Sequence, residues 1–290
     1  MAYSQTNTPY LVDLHVHGAG EYDTQTRRQD DIQRIAMVHG ERGTAAILPT
    51  VYPADIEVMR DSLNAVQRAM SAQREGAKVL GAHLEGPFLN TERAGALDPK
   101  SFLEPDPEAL DRLVDGYEDI IRIVTIAPEL PGALKLIERC REKGFLVQMG
   151  HSDATFEQAE EGKQAGATGI THLFNAMRGF HHREPGLAGF GLMDEEIYVE
   201  VIADMVHLHM TSLRMVLDMK PPDRIILVSD SVKGPGWGNG PVRGPGGMLL
   251  GSGISLADCV KNLVSLGVAP DRAAHFATDN PVSDLGLKRP

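Results

Sequence analysis

Eight times along the chain a short run rich in Val, Ile and Leu precedes a longer segment of helical periodicity. This alternation restricts the fold more than any other feature. Strands are expected at Tyr10–Val16, Ala45–Thr50, Val79–Leu84, Ile120–Thr125, Phe145–Met149, Gly169–Thr171, Tyr198–Ile202 and Ile225–Ser229. Helices are expected at Asp30–Arg42, Ala54–Glu75, Pro107–Gly116, Pro131–Lys143 (with Pro131 in the favoured first turn), Thr155–Gln164, His209–Met219 and Leu256–Leu266. Arg272–Thr278 and a last turn at Pro281–Leu285 follow, and no clear helix follows the sixth strand. Strand–helix alternation implies parallel strands joined by right-handed crossovers. Eight such units close into an α/β fold of the (β/α)8 barrel type, which takes about 250 residues. The 290 residues accommodate it as a single domain over 1–290, with no separate β-sandwich expected. An open doubly wound sheet is disfavoured because no Gly-rich nucleotide fingerprint follows the first strand. Two connections are long, 174–197 (polar and His-rich) and 230–254 (Gly- and Pro-dense), and long loops in compact folds are often functional.

The ends of the strands carry the chemistry. His15 and His17 close the first, His83 and Glu85 the third, His151 follows the fifth, His172 the sixth, His207 the seventh and Asp230 the eighth. In a barrel these ends converge on the face where such enzymes work. Side chains at i and i+2 share one side of a strand, so His15 and His17 project together into the mouth. With Glu85, His151, His172 and Asp230 they make an imidazole and carboxylate set suited to Zn²⁺ or Fe²⁺. Six groups exceed what one ion needs, so either two divalent cations bind, or some members are bases and substrate contacts. His83 shares a strand face with Glu85 and is either part of this set or support for Glu85. His39 and His275 fall in helical patterns, and His181, His182 and His209 in loops or helix starts, where structural roles are expected.

Net charge is −12, which argues against a nucleic-acid partner, since no basic face is available. An anionic substrate then needs locally placed Arg and His. No apolar run approaches 18 residues, so no membrane span is expected, and MAYSQTNTPY lacks a secretory pattern. Cys140 and Cys259 lie far apart and read as reduced core residues, which excludes a thiolate metal site and predicts a cytoplasmic protein.

The segments HLEGPF, GHSDAT, THLFNAM, REPGLAG, IADMVH and LVSDS, in that order and spacing, resemble the N-acetylglucosamine-6-phosphate deacetylase family of the amidohydrolase superfamily over nearly the whole chain. The resemblance implies that Glu85, His151 and His172 hold the catalytic metal, with His15 and His17 completing a second metal site. It implies that Asp230 is the general acid/base and that Asn175, the Ala176 backbone, Arg183 and His207 bind a phosphorylated amino sugar. It also implies a homodimer in which Arg183 reaches the neighbour's site. One or two divalent cations per chain are expected, zinc before iron.

Three departures accompany the resemblance. No counterpart of the family's small β-sandwich is expected in this sequence, the loop after Asp230 is shorter than is usual for the family, and RAGALDP places Leu97 where a polar side chain usually helps to polarise the acyl carbonyl. Losing one such donor costs roughly 3 kcal/mol in related settings. The expected reaction is metal-dependent hydrolysis of the acetamide of N-acetylglucosamine-6-phosphate. The alternatives are an amidohydrolase acting on another N-acyl or cyclic amide, and a catalytically weak sugar-phosphate binding protein.

Overall fold

A computed structural model describes residues 10–287 except 236 and 239; nine of the ten residues of MAYSQTNTPY therefore lie outside it. Eight strands form the expected barrel, β1 Leu11–Val16, β2 Thr44–Val51, β3 Ala82–Glu85, β4 Ile121–Ile126, β5 Leu146–Met149, β6 Gly169–Ile170, β7 Tyr198–Ile202 and β8 Ile225–Val228, and the strand expected at Val79–Leu84 is split, since a separate two-residue strand, Lys78–Val79, pairs with β2 ahead of β3. They are parallel and hydrogen-bonded in sequence order from β1 to β8. The seam between β8 and β1 closes at the mouth, where Val16 bridges Ser231, the His17 N–H donates to the Ser231 carbonyl and the Asp230 N–H donates to that of His15. Buried Asp13 adds a side-chain stitch, accepting from the Ser229 N–H at 3.1 Å.

The outer ring is α1 Gln29–Glu41, α2 Ile56–Ala72, α3 Pro107–Val114, α4 Ala133–Glu142, α5 Phe156–Gln164, α6 Gly186–Met193, α7 Met210–Met219 and α8 Leu256–Ser265, followed by α9 Pro270–His275 and α10 Asp279–Asp284. The expected helix at Pro131–Lys143 starts two residues later, with Gly132 in the left-handed region at its N-cap. The helix missed after the sixth strand is α6. Its sequence GLAGFGLM holds three glycines and is buried on almost every side, so neither propensity nor an amphipathic stripe announces it. The 230–254 connection carries an antiparallel ribbon, Val242–Arg243 with Leu249–Gly251.

Two apolar cores result. One lies between strands and helices; the other, inside the barrel, joins Val12, Leu14, Ala46, Leu48, Ile123, Ile202, Ile226 and Val228 with Val282 of α10. Above the inner core the interior turns polar: His83 Nε2 lies 2.8 Å from Thr125 Oγ1, which lies 2.8 Å from Thr171 Oγ1, which donates to Gln148. This network is the floor on which the site stands. Leu48 is fully buried in the inner core and does not line the site cavity. Leu48→Ala is therefore expected to cost about 2–5 kcal/mol in urea unfolding, with turnover per folded molecule unchanged.

Candidate active site

β1 supplies the first two imidazoles, and it does so by changing parity. Val12 and Leu14 point into the inner core, so unbroken alternation would send His15 outward. The β1–β2 register shifts between Asp13 and Val16, and the irregularity turns His15 inward. His17 follows on the same side, with the two Nε2 atoms 3.0 Å apart.

Glu85, at the end of β3, is the hub. Its Oε1 is 3.1 Å from His151 Nε2, 3.1 Å from His172 Nε2 and 3.3 Å from His15 Nε2; its Oε2 is 3.3 Å from His17 Nε2. His151, His172 and Asp230 each sit two residues beyond their strands and share a backbone feature: φ is 48°, 30° and 48°. Non-glycine residues in this region cost on the order of 1–3 kcal/mol each and gather at functional sites. The glycine before His151 is required by close approach, since a Cβ on Gly150 would lie 2.8 Å from Thr171 Cβ.

The donor set suits a divalent cation. Four Nε2 atoms converge on one carboxylate, and two pairs of them lie only 3.0 and 3.1 Å apart. His151 Nδ1 faces the Arg93 carbonyl at 2.9 Å. A carbonyl only accepts, so this ring donates its Nδ1 proton there, which leaves Nε2 as the nitrogen that would face a cation. Among the described residues, atoms able to ligate a cation form three compact groups, His15–His17–Asp230, Glu85–His151–His172 and, deeper, His15–His83–Glu200.

The electrostatics point the same way. Burial opposes charge on Glu85, but the neighbouring imidazoles outweigh it and hold the carboxyl well below its usual range. Burial likewise opposes a proton on His17; Glu85 and Asp230 overcome it and lift the imidazole to about 9. Asp230, despite burial, is held down to about 2 by its contact with His17 and by the charges around it. His83 goes the other way, to about 3, chiefly through burial. Its two ring nitrogens face the Leu14 carbonyl and Thr125 Oγ1 rather than the Glu85 carboxylate.

A cavity of about 510 Å³ opens above these groups, and His17, Glu85, His151, His172, Asn175, Ala176, His207 and Asp230 all line it. Asn175 Nδ2 donates to the His172 and Leu173 carbonyls, and Ala176 adopts φ 48°. Leu97 is in the wall, beside Gly95 and Ala96, as its sequence position implied. Arg183 is not: it is exposed, with Nη1 2.8 Å from His182 Nε2, and this chain's fold does not bring it to its own cavity.

Several residues of the site escaped sequence reading. Asp204 accepts from His207 Nδ1 at 2.7 Å and orients its Nε2 toward Asp230, 3.9 Å away; the acid three residues before His207 was the available signal. Tyr52, at the end of β2, lines the cavity, stacks edge-on to His17 and donates to Asp23 at 3.0 Å. Lys233 lines it too and pairs with Asp23 at 2.8 Å.

Burial opposes both charges of the Asp204–His207 pair, yet their mutual contact lowers the carboxyl and raises the imidazole. The carboxylate's contribution to stability is present above its ordinary 3.8 and lost as pH falls through its lower folded value. The imidazole's is present below its ordinary 6.5 and lost as pH rises through its higher folded value. Urea unfolding of Asp204→Asn against the parent is therefore expected to show the largest deficit near pH 5 and a smaller one near pH 9; equal deficits would contradict the pairing.

A family model described as the Amidohydrolase family matches residues 6–289. The N-acetylgalactosamine-6-phosphate deacetylase of Escherichia coli O157:H7 is 34% identical over 294 residues, which is 96% of this chain and 78% of that protein. The N-acetylglucosamine-6-phosphate deacetylase of Lysinibacillus sphaericus is 34% identical over 228 residues, 79% of this chain and 59% of that protein. Among solved structures, a mutant N-acetyl-D-glucosamine-6-phosphate deacetylase from Mycobacterium smegmatis, in complex with N-acetyl-D-glucosamine-6-phosphate, superposes with a TM-score of 0.91. It is 30% identical and covers 99% of this chain and 82% of that one. With a barrel of this topology, imidazoles and carboxylates gathered at its mouth and a family match over nearly its whole length, the chain belongs to the amidohydrolase family.

Proposed function

We propose that the protein is a metal-dependent deacetylase that hydrolyses the acetamide of N-acetylglucosamine-6-phosphate to glucosamine-6-phosphate and acetate. The observation that carries this reading is the meeting of Glu85, four imidazoles and Asp230 at the floor of one cavity whose rim holds Asn175, Ala176 and His207. Relatives named for deacetylation of amino-sugar 6-phosphates support the substrate class.

Glu85, His151 and His172 would hold one divalent cation; His15 and His17, with Asp230 alongside, would hold a second. Zinc suits this set best and ferrous iron is also compatible. Such an ion supplies Lewis acidity toward the acyl oxygen and lowers the pKa of water from 15.7 to about 7. Asp230 is the base that takes a proton from the attacking water and the acid that returns it to the departing amine. Asp230 is ionised, as a base must be, and its neighbour His17 is 3.4 Å away. His207, locked by Asp204, orients substrate oxygens. Leu97, Ala96 and Leu249 contribute the apolar part of the cavity wall.

Arg183 serves the phosphate from the neighbouring subunit of a homodimer, consistent with its exposure and its place outside this chain's cavity. A cytoplasmic setting agrees with two free, buried cysteines, and no helix among the described residues is long and apolar enough to cross a membrane.

The experiment is acetate release from N-acetylglucosamine-6-phosphate, its galactosamine epimer and the unphosphorylated sugars. Turnover of the phosphorylated sugars is expected; turnover of none of them, with metal bound, would favour a different N-acyl substrate, the reading that apolar Leu97 supports. Arg183→Ala is expected to raise KM for the phosphorylated substrate by about 30-fold or more, since truncating one partner of a buried charge pair costs about 2–5 kcal/mol. Activity toward the unphosphorylated sugar should not change. An unaltered KM would transfer the phosphate contact to Lys233 inside the cavity.

A further inference from the structure

Glu200 lies on β7 inside the barrel, 1% exposed, and no role given above includes it. Its Oε2 is 3.1 Å from His15 Nδ1, and it also accepts from the His172 backbone N–H at 3.3 Å. Its Oε1 has no hydrogen-bond partner among the described residues, so its one side-chain partner in this set is His15. A carboxylate taken wholly out of water needs a specific partner to be tolerated there.

The two halves of the centre can be compared. In one, His151 is locked through Nδ1 by the Arg93 carbonyl. In the other, no carbonyl faces His15 Nδ1; Glu200 does. The far nitrogen of that ring lies 3.0 Å from His17 Nε2 and 3.3 Å from Glu85, at the point where the halves meet. A ring protonated on Nδ1 turns a lone pair to that point, whereas the other tautomer turns a proton to it.

His15, His83 and Glu200 also stand close enough together to suggest a separate cation site deeper in the barrel. His83 rules this out, because both its nitrogens are occupied, one by the Leu14 carbonyl at 3.1 Å and one by Thr125 at 2.8 Å. The cluster therefore works upward, through His15.

We propose that Glu200 is the positioning residue of the His15/His17 half of the centre: by accepting the Nδ1 proton of His15 it fixes the tautomer and aim of that ring, and so sets whether this half holds a cation. The proposal rests on reading the cluster as a metal centre, and not on the identity of the substrate.

Two readouts test it, and neither uses substrate. In the zinc-loaded protein labelled with ¹⁵N-histidine, two-bond proton–nitrogen correlations are expected to place the His15 proton on Nδ1. A proton on Nε2 overturns the proposal, and this needs no variant. In Glu200→Gln, which preserves shape and removes charge, competition with a chromophoric chelator is expected to show the weaker zinc affinity reduced about 10–100-fold, the range typical of carboxylate partners behind a ligating histidine. The affinity of the Glu85/His151/His172 half should be retained. Equal loss from both halves would mark Glu200 as merely structural, and unchanged affinity in both, or a parent protein with no cation at His15/His17, would overturn the assignment. Because zinc binding and tautomer are read directly, a failure of the proposed deacetylation leaves this test intact, and the reverse also holds.

Discussion

An Asp230→Asn protein is expected to keep its metal and its fold while kcat falls by about 10²–10⁴-fold, the usual contribution of a positioned general acid/base. Asn is nearly isosteric with Asp and is among the few residues that tolerate φ near +48°, the value at position 230. The backbone that carries Ser231 and closes the β8–β1 seam should therefore survive. What disappears is the cavity carboxylate that faces His17 (3.4 Å) on one side and His207 (3.9 Å) on the other. An amide can neither accept the water's proton nor return it. The check is kcat beside elemental metal analysis on the same sample. A fully active variant would remove Asp230 from the mechanism; loss of metal together with activity would make it primarily a ligand.

Glu85→Gln is expected to have the other large effect, this time on the metal itself. Every ligating imidazole lies within 3.3 Å of this carboxylate, so the substitution removes the central negative charge from both halves at once. Affinity should fall by more than the 10–100-fold typical of partners that do not touch the ion, and excess zinc should restore only part of the activity. A pH signature accompanies it. With no cation bound, Glu85 and Asp230 hold a proton on His17 up to about pH 9. Below that value a cation must displace the proton, so metal affinity rises with pH, about tenfold per unit for each proton released. Glu85→Gln removes the largest force retaining that proton, so the slope should flatten near neutral pH. A steep slope unchanged in the variant would mean that His17 is not coupled to Glu85 as its 3.3 Å contact indicates.

The barrel and most of its mouth are legible in the sequence because parallel strands buried on both faces read as apolar runs, and their final polar residues stand out against them. His15, His17, Glu85, His151, His172, His207 and Asp230 are visible for that reason, and the structure brings them together: all but His15 line one cavity, and His15 is buried beneath it, 3.0 Å from His17. What the sequence conceals is of three kinds. The bulge that turns His15 inward is invisible, since simple alternation carries Leu14 and His15 to opposite sides. Helix α6 is hidden by its glycines and its all-round burial. Glu200 and Asp204 act through imidazoles that lie 185 and three residues away in sequence, and only three-dimensional distance separates them from ordinary strand-end and cap carboxylates. Arg183 is the converse case: a residue marked by motif that this chain does not place at its own site.

Crystals of the purified, active protein measured at the zinc and iron absorption edges test the account most directly. It predicts an anomalous peak between Glu85, His151 and His172, with a second beside His15 and His17 when both cations are bound, and loss of acetate release when a chelator removes them. An active, chelator-insensitive protein with no peak among these residues would contradict it.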